Sequence, residues 1–454
     1  MEIVVLILVF AVLFAIGVPI AFSIGAATIC AFLFAVDFMP AVTTVAQRMA
    51  GGLNSFALLA IPLFILSGQL MAKGGIARRL IDFSKAFIGM FPGGLAFVNV
   101  ISCMLFGSIS GSAVAATSAI GGFMIPEMKR DGFDGDFSAA LTATASSTGL
   151  LIPPSNILIV YAVASGGVSI AALFVAGYLP GLLMGLALMI VAAGYARKHN
   201  MPRGARVGIR EAASRTLAAL PSLLLVVIVI GGILGGVFTA TEAGGIAVVY
   251  ALILAVVVYR EVKPSELAEI LIKSTETTAI VMFLIGTSIA MSWLLAYENV
   301  PAELANTLLN ISDNPLVLFL LINLFLLAIG IFMDMTPAVL IFTPIFLPVA
   351  VELGMSPLHF GVMLIMNLTI GLCTPPVGSI LFVSCAVAKT SIGNIVRPMA
   401  PMYVALIIAL LLVTYVPEIS ESLPRYFGPV SYTHLRAHET RSVISYAVFC
   451  LKRG

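Results

Sequence analysis

The chain has 454 residues, of which 61% are hydrophobic and only 10% are charged, and its net charge at pH 7 is +2. Soluble globular domains carry about 25% charged residues, so the composition excludes that class and indicates an integral membrane protein. The small net charge gives no support to a nucleic-acid partner, and the scattered cysteines form no metal-ligand pattern.

The first element in chain order is the apolar N-terminal segment MEIVVLILVF. It contains Glu2 and lacks the basic region and the cleavage site of a signal peptide, so we interpret it as a membrane span. Barrel-type alternation of polar and apolar residues is absent, which predicts an all-α polytopic membrane protein. Uncharged runs that reach or exceed the roughly 20 residues of a membrane helix are 86–126, 137–196, 216–241, 353–388 and 398–417.

A helical hairpin is predicted within 86–126, because a helix of that length would be about 60 Å long, or two traverses of the hydrocarbon core. Basic residues flank this run on both sides, at 73–85 and 129–130, so the chain is expected to return to the face from which it enters. Its midpoint, Gly107–Ser112, would form the tip. Two ordinary spans with a polar turn are the alternative, and glycine and serine also favour close helix packing.

The next element is a span of apolar chain, Phe137–Ser165, which is interrupted by Ser146–Asn156. The interruption contains Pro153 and Pro154. Two prolines in mid-span remove backbone donors and leave carbonyl groups that must find partners in hydrocarbon. Such a break is tolerated where it lines a cavity, so we predict a broken helix at a binding site.

Helix-breaking residues recur in the second half at a constant offset. Pro153 and Pro154 reappear 222 positions later as Pro375 and Pro376. Three further pairs with this offset are Gly149 and Gly371, Pro126 and Pro348, and Gly132 and Gly354. Because proline and glycine influence where helices break, the shared spacing predicts a second hairpin over 314–351 and a second broken helix over 360–388.

The charged segments predict opposite orientations for the two halves. The connector Arg197–Arg215 and the segment Lys73–Lys85 are basic and should be cytoplasmic. The counterpart of the latter, Glu298–Asp313, has carboxylates and no base, and should be external. Equivalent loops on opposite sides define an inverted-topology repeat, for which we expect about ten transmembrane helices plus two re-entrant hairpins and two broken helices.

The sequence therefore divides into six regions. Scaffold helices occupy 1–72 and 217–297, and each set is followed by a hairpin, a broken helix and a further span, in 73–196 and 298–428. The basic connector is 197–216. The polar stretch VSYTHLRAHET departs from the rest, and its back-translation resembles a sequencing-library adapter, so we interpret 429–454 as a non-native tail.

The hairpin tips and the broken helices are predicted to form a binding site at the middle of the membrane. Unwound carbonyls and hydroxyls can replace the water shell of Na⁺, while helix N-termini attract anions. Asp334 is the one ionisable residue in the hairpin cores, and an intramembrane carboxylate indicates a functional site. Alternatively, Asp334 caps the helix that starts at Thr336-Pro337. Thr239 and Glu242 fit a capping box at an external helix start.

Five motifs in order resemble the large permease subunit of tripartite ATP-independent periplasmic (TRAP) transporters: FGSISGSAVA, TGLLIPPSN, FTATEAGG, FMDMTPAVLIFTPIFLP and GLCTPPVG. The resemblance covers about 1–428. It implies a multi-pass protein of the bacterial inner membrane that imports an organic acid, such as a C4-dicarboxylate or a sialic acid, with Na⁺ as the coupling ion. It also implies an elevator movement of the hairpins and broken helices, and two partners: a separate small permease subunit with four helices and a periplasmic solute-binding protein.

The same resemblance implies which residues bind the substrate and which bind Na⁺. The implied substrate ligands are Ser108, Ser110, Ser112, Asn156 and Asp334. The implied Na⁺ ligands, divided between the two hairpin tips, are Gly107, Ser110, Thr148, Gly149, Gly330, Asp334, Gly371 and Thr374.

Three other functions are alternatives to this interpretation. A proton-coupled or binding-protein-independent organic anion transporter would share the fold, and the residues discriminate poorly between coupling ions. An intramembrane enzyme would need an embedded His-Asp, Ser-Lys or metal set, whereas the hairpins contain one aspartate and no histidine or lysine. A channel could line its pore with the broken helices, but the sequence contains no repeated selectivity ring.

Overall fold

The computed structural model describes residues 2–204, 207–312, 314–375 and 378–428, and within these ranges the chain is helical without β-strands. The predicted non-native tail and Pro376 lie outside the described residues. The α-helices of the first half are α1 (Glu2–Ala15), α2 (Ile20–Ala35), α3 (Phe38–Leu53), α4 (Ala60–Lys73), α5 (Ile76–Ile88), α6 (Gly94–Ser110), α7 (Ala113–Arg130), α8 (Gly135–Thr148), α9 (Asn156–Ala164) and α10 (Ile170–Lys198).

The second half begins with three helices, the second of which continues to Val258 as a π-helix. The α-helices of this half are α11 (Ile209–Leu234), α12 (Ala240–Leu252), α13 (Leu267–Tyr297), α14 (Val300–Ile311), α15 (Pro315–Phe332), α16 (Met335–Glu352), α17 (Pro357–Gly371), α18 (Ser379–Ala388), α19 (Ile392–Tyr415) and α20 (Glu418–Tyr426). The predicted capping box at the start of α12 is confirmed, since Thr239 and Glu242 exchange both of its hydrogen bonds.

Within the described residues, 8 helical segments are long and apolar enough to cross a membrane. They are Phe56–Lys73, Ile170–Lys198, Ile209–Leu234, Ala240–Val258, Pro264–Tyr297, Pro315–Phe332, Met335–Glu352 and Ile392–Tyr415. Shorter apolar helices accompany them, among them α1, α6, α17 and α18. The protein is therefore an all-α, multi-pass membrane protein.

The two halves repeat one order of elements: a hairpin, a broken helix and a long helix. The helices α7, α8 and α10 begin at 113, 135 and 170, while α16, α17 and α19 begin at 335, 357 and 392, a shift of 222 positions each time. The repeated proline and glycine positions thus correspond to repeated helices. Pro126 and Pro348 also correspond to each other, since both lie inside continuous helices. A helix held by its neighbours tolerates the one hydrogen bond that a single proline removes.

The two broken helices run antiparallel to each other. At one end, the Thr390 hydroxyl, just beyond α18, donates to the Asp136 carboxylate at the start of α8 at 2.6 Å. At the other end, the Tyr161 hydroxyl of α9 donates to the Pro357 carbonyl at the start of α17 at 2.5 Å. The start of each broken helix therefore contacts the end of the other.

The helices form two sets that meet across a cavity. In one set, each hairpin packs against broken helices of both halves: α7 contacts α8 and α18, and α16 contacts α17 and α9. In the other set, α12 packs on α4, and α13 packs on α2, α3 and α4. Helices from the two predicted scaffold regions therefore contact each other directly.

The connector between the halves is shorter than the predicted 197–216. The helix α10 continues to Lys198 and α11 begins at Ile209. Basic residues in the last turn of α10 interact favourably with the negative end of the helix dipole, which extends this helix into the basic segment. At the start of α11, Arg215 pairs with Glu211 one turn earlier at 2.5 Å, which stabilises the helix.

Candidate binding cavity

A cavity of about 590 Å³ lies between the two sets of helices. Both hairpin tips and the first residues of α9 and α18 line it, together with α2, α4 and α13. The predicted meeting of hairpin tips and broken helices is therefore observed. Most of the described lining is apolar, and its polar residues are Gln69, Ser110, Ser112, Asn156, Thr277, Asp334, Thr336 and Ser379.

Four helices begin at this cavity. The first residues of α7, α9, α16 and α18 are Ala113, Asn156, Met335 and Ser379, and each of them lines the cavity wall. The N–H groups of a first helical turn lack helical partners, and the helix dipole adds a positive partial charge there. Among the described lining residues, Asp334 is the one ionisable side chain. The positive potential for an anion therefore comes from backbone rather than from lysine or arginine.

The first hairpin tip consists of two residues. The helix α6 continues to Ser110, so the predicted six-residue turn from Gly107 is wrong, and the chain reverses at Gly111 and Ser112. Gly111 has a φ of +62°, and a Cβ there would lie 3.0 Å from Nδ2 of Asn156. Ser112 accepts a hydrogen bond from the N–H of Ala115 at 3.2 Å and so caps α7. Glycine thus permits the turn, and serine completes the helix start.

The second tip is Met333 and Asp334, between α15 and α16. Asp334 occupies the N-cap position with an extended backbone, as the capping alternative predicted, but its side chain makes no capping hydrogen bond. The carboxylate is instead exposed within the cavity. Its position therefore fits contact with a bound molecule better than a structural cap.

Each hairpin packs backbone against backbone on its own broken helix. A Cβ added to Gly149 would lie 2.6 Å from the Cα of Gly107, and one added to Gly371 would lie 2.6 Å from the Cα of Gly330. Side chains larger than hydrogen cannot occupy such positions without a backbone shift. Four of the predicted Na⁺ residues are thereby brought together in two pairs.

Three other predicted site residues lie outside the cavity wall. The hydroxyls of Ser108, Thr148 and Thr374 each donate to a carbonyl three or four residues earlier in the chain, at 2.7 to 2.8 Å. Such bonds are common for serine and threonine in helices. In this structure the three hydroxyls therefore bond to nearby backbone and do not line the cavity.

The predicted proline pairs lie at the breaks. Pro153 and Pro154 fall in the non-helical segment between α8 and α9, and Pro375 falls between α17 and α18. The breaks therefore occur where the sequence predicts them.

The chain matches, over residues 7–419, the family described as the tripartite ATP-independent periplasmic transporter, DctM component. It belongs to this family.

Curated relatives agree with this assignment. The C4-dicarboxylate TRAP transporter large permease protein DctM of Pseudomonas aeruginosa is 41% identical over 404 residues, which covers 89% of this chain and 93% of that protein. The sialic acid TRAP transporter large permease protein SiaM of Vibrio cholerae is 40% identical over 411 residues, which covers 90% of this chain and 96% of that one.

A solved structure shares the fold. The YdaH transporter of Alcanivorax borkumensis aligns with a TM-score of 0.61 at 17% sequence identity, covering 87% of this chain and 91% of that chain. At this identity the likeness concerns the architecture alone. The TRAP permease therefore shares its helical architecture with that solved structure.

The cavity of this TRAP permease contains polar residues that the sequence did not single out. Gln69 comes from α4 and Thr277 from α13, while Thr336 and Ser379 follow the second tip and the second break. Thr336 and Ser379 lie two and four residues after Asp334 and Pro375, which the sequence did mark. Nothing in the local pattern of α4 or α13 marks Gln69 or Thr277, because only helix packing directs them to the cavity.

Replacing Gln69 with leucine is expected to raise the KM for the transported substrate about fivefold with little loss of folded protein, since a carboxamide hydrogen bond contributes about 1 kcal/mol. Gln69→Leu keeps the approximate volume and removes the donors and the acceptor. The measurement is uptake against substrate concentration. Gln47→Leu, at an exposed position on α3, is the matched control. An unchanged KM would show that Gln69 does not contact the substrate.

Proposed function

We propose that this TRAP permease imports an organic acid in symport with Na⁺. The observation that carries the proposal is the cavity at which four helix N-termini meet beside one carboxylate. The helix N-termini favour the carboxylate groups of the substrate. Asp334 would repel the same anion unless a cation or hydroxyl groups of the substrate lay close to it. Symport with a cation resolves this conflict, and the substrates named for the relatives agree with an organic acid.

The proposed cation positions follow from the C-termini of the four preceding helices, α6, α8, α15 and α17, which end at the hairpin tips and the breaks. The C-termini of α6 and α8 meet at Gly107 and Gly149, and those of α15 and α17 meet at Gly330 and Gly371. The last carbonyls of a helix lack helical partners and carry the negative end of the dipole. One Na⁺ at each meeting point would therefore lie among carbonyl oxygens, with the Thr148 and Thr374 hydroxyls close by in the chain.

The partners and location are proposed on the same basis. As a member of a tripartite system, the chain would work in the inner membrane with a small four-helix permease subunit. A periplasmic solute-binding protein would deliver the organic acid to the cavity from outside. A C4-dicarboxylate, a sialic acid or a similar carboxylate is the substrate class.

The test is uptake into proteoliposomes that contain the full chain, the small subunit and the loaded binding protein. A thermal-shift screen of organic acids on the binding protein first selects the radiolabelled substrate. We expect uptake to require both an inward Na⁺ gradient and the binding protein. Uptake driven by a proton gradient would instead favour the second candidate, a proton symporter in which Asp334 carries the proton. Uptake without the binding protein would contradict the proposed partner.

A further inference from the structure

The second break is tied to a neighbouring helix by a tyrosine. Tyr403 on α19 donates its hydroxyl hydrogen to the carbonyl of Cys373, two residues beyond the end of α17. The side chain is half-buried, and its oxygen also approaches the sulfur of Met399 at 3.9 Å. The contact thus joins a helix side chain to the unwound backbone of the proposed cation site.

In the part of the chain that the structure describes, the first break has no equivalent contact. The positions 222 residues earlier than Tyr403 and Cys373 are Gly181 and Leu151. There α10 packs so closely that a Cβ on Gly177 would lie 2.2 Å from the Leu151 carbonyl oxygen. Among the described residues, no hydrogen bond is donated to that carbonyl. The carbonyl at this position therefore packs against a glycine of α10 in the first half, whereas in the second half it accepts a hydrogen bond from a tyrosine of α19.

The tyrosine contact constrains the residues proposed to hold the cation. Cys373 precedes Thr374, whose N–H donates to the Gly371 carbonyl at 2.9 Å. The Thr374 hydroxyl donates to the Ile370 carbonyl at 2.8 Å. The Cys373 carbonyl and the Thr374 N–H belong to one planar peptide group, so a rotation of this group would break the hydrogen bond from Thr374 to the Gly371 carbonyl. The hydrogen bond from Tyr403 to the Cys373 carbonyl therefore holds the backbone turn from Gly371 to Thr374 in one conformation.

We infer that Tyr403 is a positioning residue for the Na⁺ at the second hairpin, an inference that rests on the proposed Na⁺ symport. The hydroxyl holds the Cys373 carbonyl, and the carbonyl holds the orientation of Gly371 and Thr374 around the cation. Without the hydroxyl, the buried carbonyl has no donor among the described residues, and the turn gains other orientations. The first site does not depend on such a residue.

The test compares Tyr403→Phe with wild type and with Tyr415→Phe. Phenylalanine keeps the ring that fills the space and removes only the donor. Tyr415 is on the same helix and donates to the Leu316 carbonyl at 2.8 Å, away from the break, so it controls for loss of a hydroxyl-carbonyl bond. Uptake is measured against Na⁺ concentration at saturating organic acid. The melting temperature of the purified full chain is measured in NaCl and in choline chloride at equal ionic strength.

We expect Tyr403→Phe to raise the Na⁺ concentration for half-maximal uptake about three- to tenfold and to reduce the Na⁺-dependent rise in melting temperature. Maximal uptake at high Na⁺ should stay close to wild type, and Tyr415→Phe should change neither quantity. An unchanged Na⁺ requirement in Tyr403→Phe would overturn the inference and leave Na⁺ symport intact, as would an equal loss of stability with and without Na⁺. A wild-type protein indifferent to Na⁺ would overturn the symport proposal and this inference with it.

Discussion

Uptake is expected to fall about a hundredfold when Asp334 is replaced by alanine, since an interaction with a charged partner contributes about 1.5–3 kcal/mol. Asp334 is the one ionisable side chain among the described residues that line the cavity, and it is exposed there. Removing it deletes the group that would favour a bound cation beside the anion. Because the carboxylate makes no capping hydrogen bond, folding stability should change by less than about 1 kcal/mol.

One further variant separates the charge of Asp334 from its size, and a second serves as a control at an exposed carboxylate. Asp334→Asn keeps the size of the side chain and removes the charge, so it should lose uptake almost as completely as Asp334→Ala. Glu303→Gln removes an exposed carboxylate from α14 and should leave uptake unchanged. The amount of membrane-inserted protein and its elution on gel filtration show whether each variant folds. Normal uptake by Asp334→Ala would place the residue outside the transport site.

The second large effect is expected from Gly149→Ala, which should reduce uptake more than about tenfold, because overpacking typically costs about 1–3 kcal/mol. The added Cβ would lie 2.6 Å from the Cα of Gly107 and 3.1 Å from the Cys103 carbonyl oxygen. These neighbours are backbone atoms, which cannot rotate aside as a flexible side chain does. The first hairpin and the first break would have to separate, and the carbonyls proposed to surround a cation would separate with them.

Gly122→Ala provides the control for that measurement. Gly122 lies on α7 of the same hairpin, and a Cβ added there would have no neighbour within 4 Å. Alanine should be tolerated and should stabilise the helix by up to about 1 kcal/mol. The measurement is uptake per amount of folded permease for both variants. If Gly149→Ala transports as well as Gly122→Ala, close approach of the hairpin and the break is not needed for transport.

The class of protein and the positions of its breaks could be predicted from the sequence because they depend on local properties. Hydrophobicity over a span identifies membrane helices, and the pairs at Pro153 and Pro375 mark two breaks that the structure contains. The constant offset of 222 positions similarly predicted the repeated order of helices. Proline is less decisive when it occurs singly, as Pro126 in a continuous α7 demonstrates.

Some of the residues that line the cavity could be predicted from the sequence. Ser110, Ser112, Asn156 and Asp334 lie at tips and breaks, where a departure from helical backbone is visible in the sequence, and all four line the cavity. Ser108 belongs to the same motif but lies inside α6, where its hydroxyl bonds to the helix backbone. Ser108 lies outside the cavity because the turn has only two residues, so that α6 continues past this position. The composition of a glycine- and serine-rich stretch does not specify where within it the helix ends.

What the sequence by itself determined is therefore the membrane class, the hairpins, the breaks and the residues at their ends, because hydropathy and backbone preference act over a few neighbouring residues. Only the tertiary structure decided which distant groups meet. Gln69 reaches the cavity from α4, Gly371 packs on Gly330, and Tyr403 bonds to the carbonyl of Cys373. Such contacts depend on the distance and rotation between packed helices, which are set by the fit of whole helix faces rather than by any short stretch of chain.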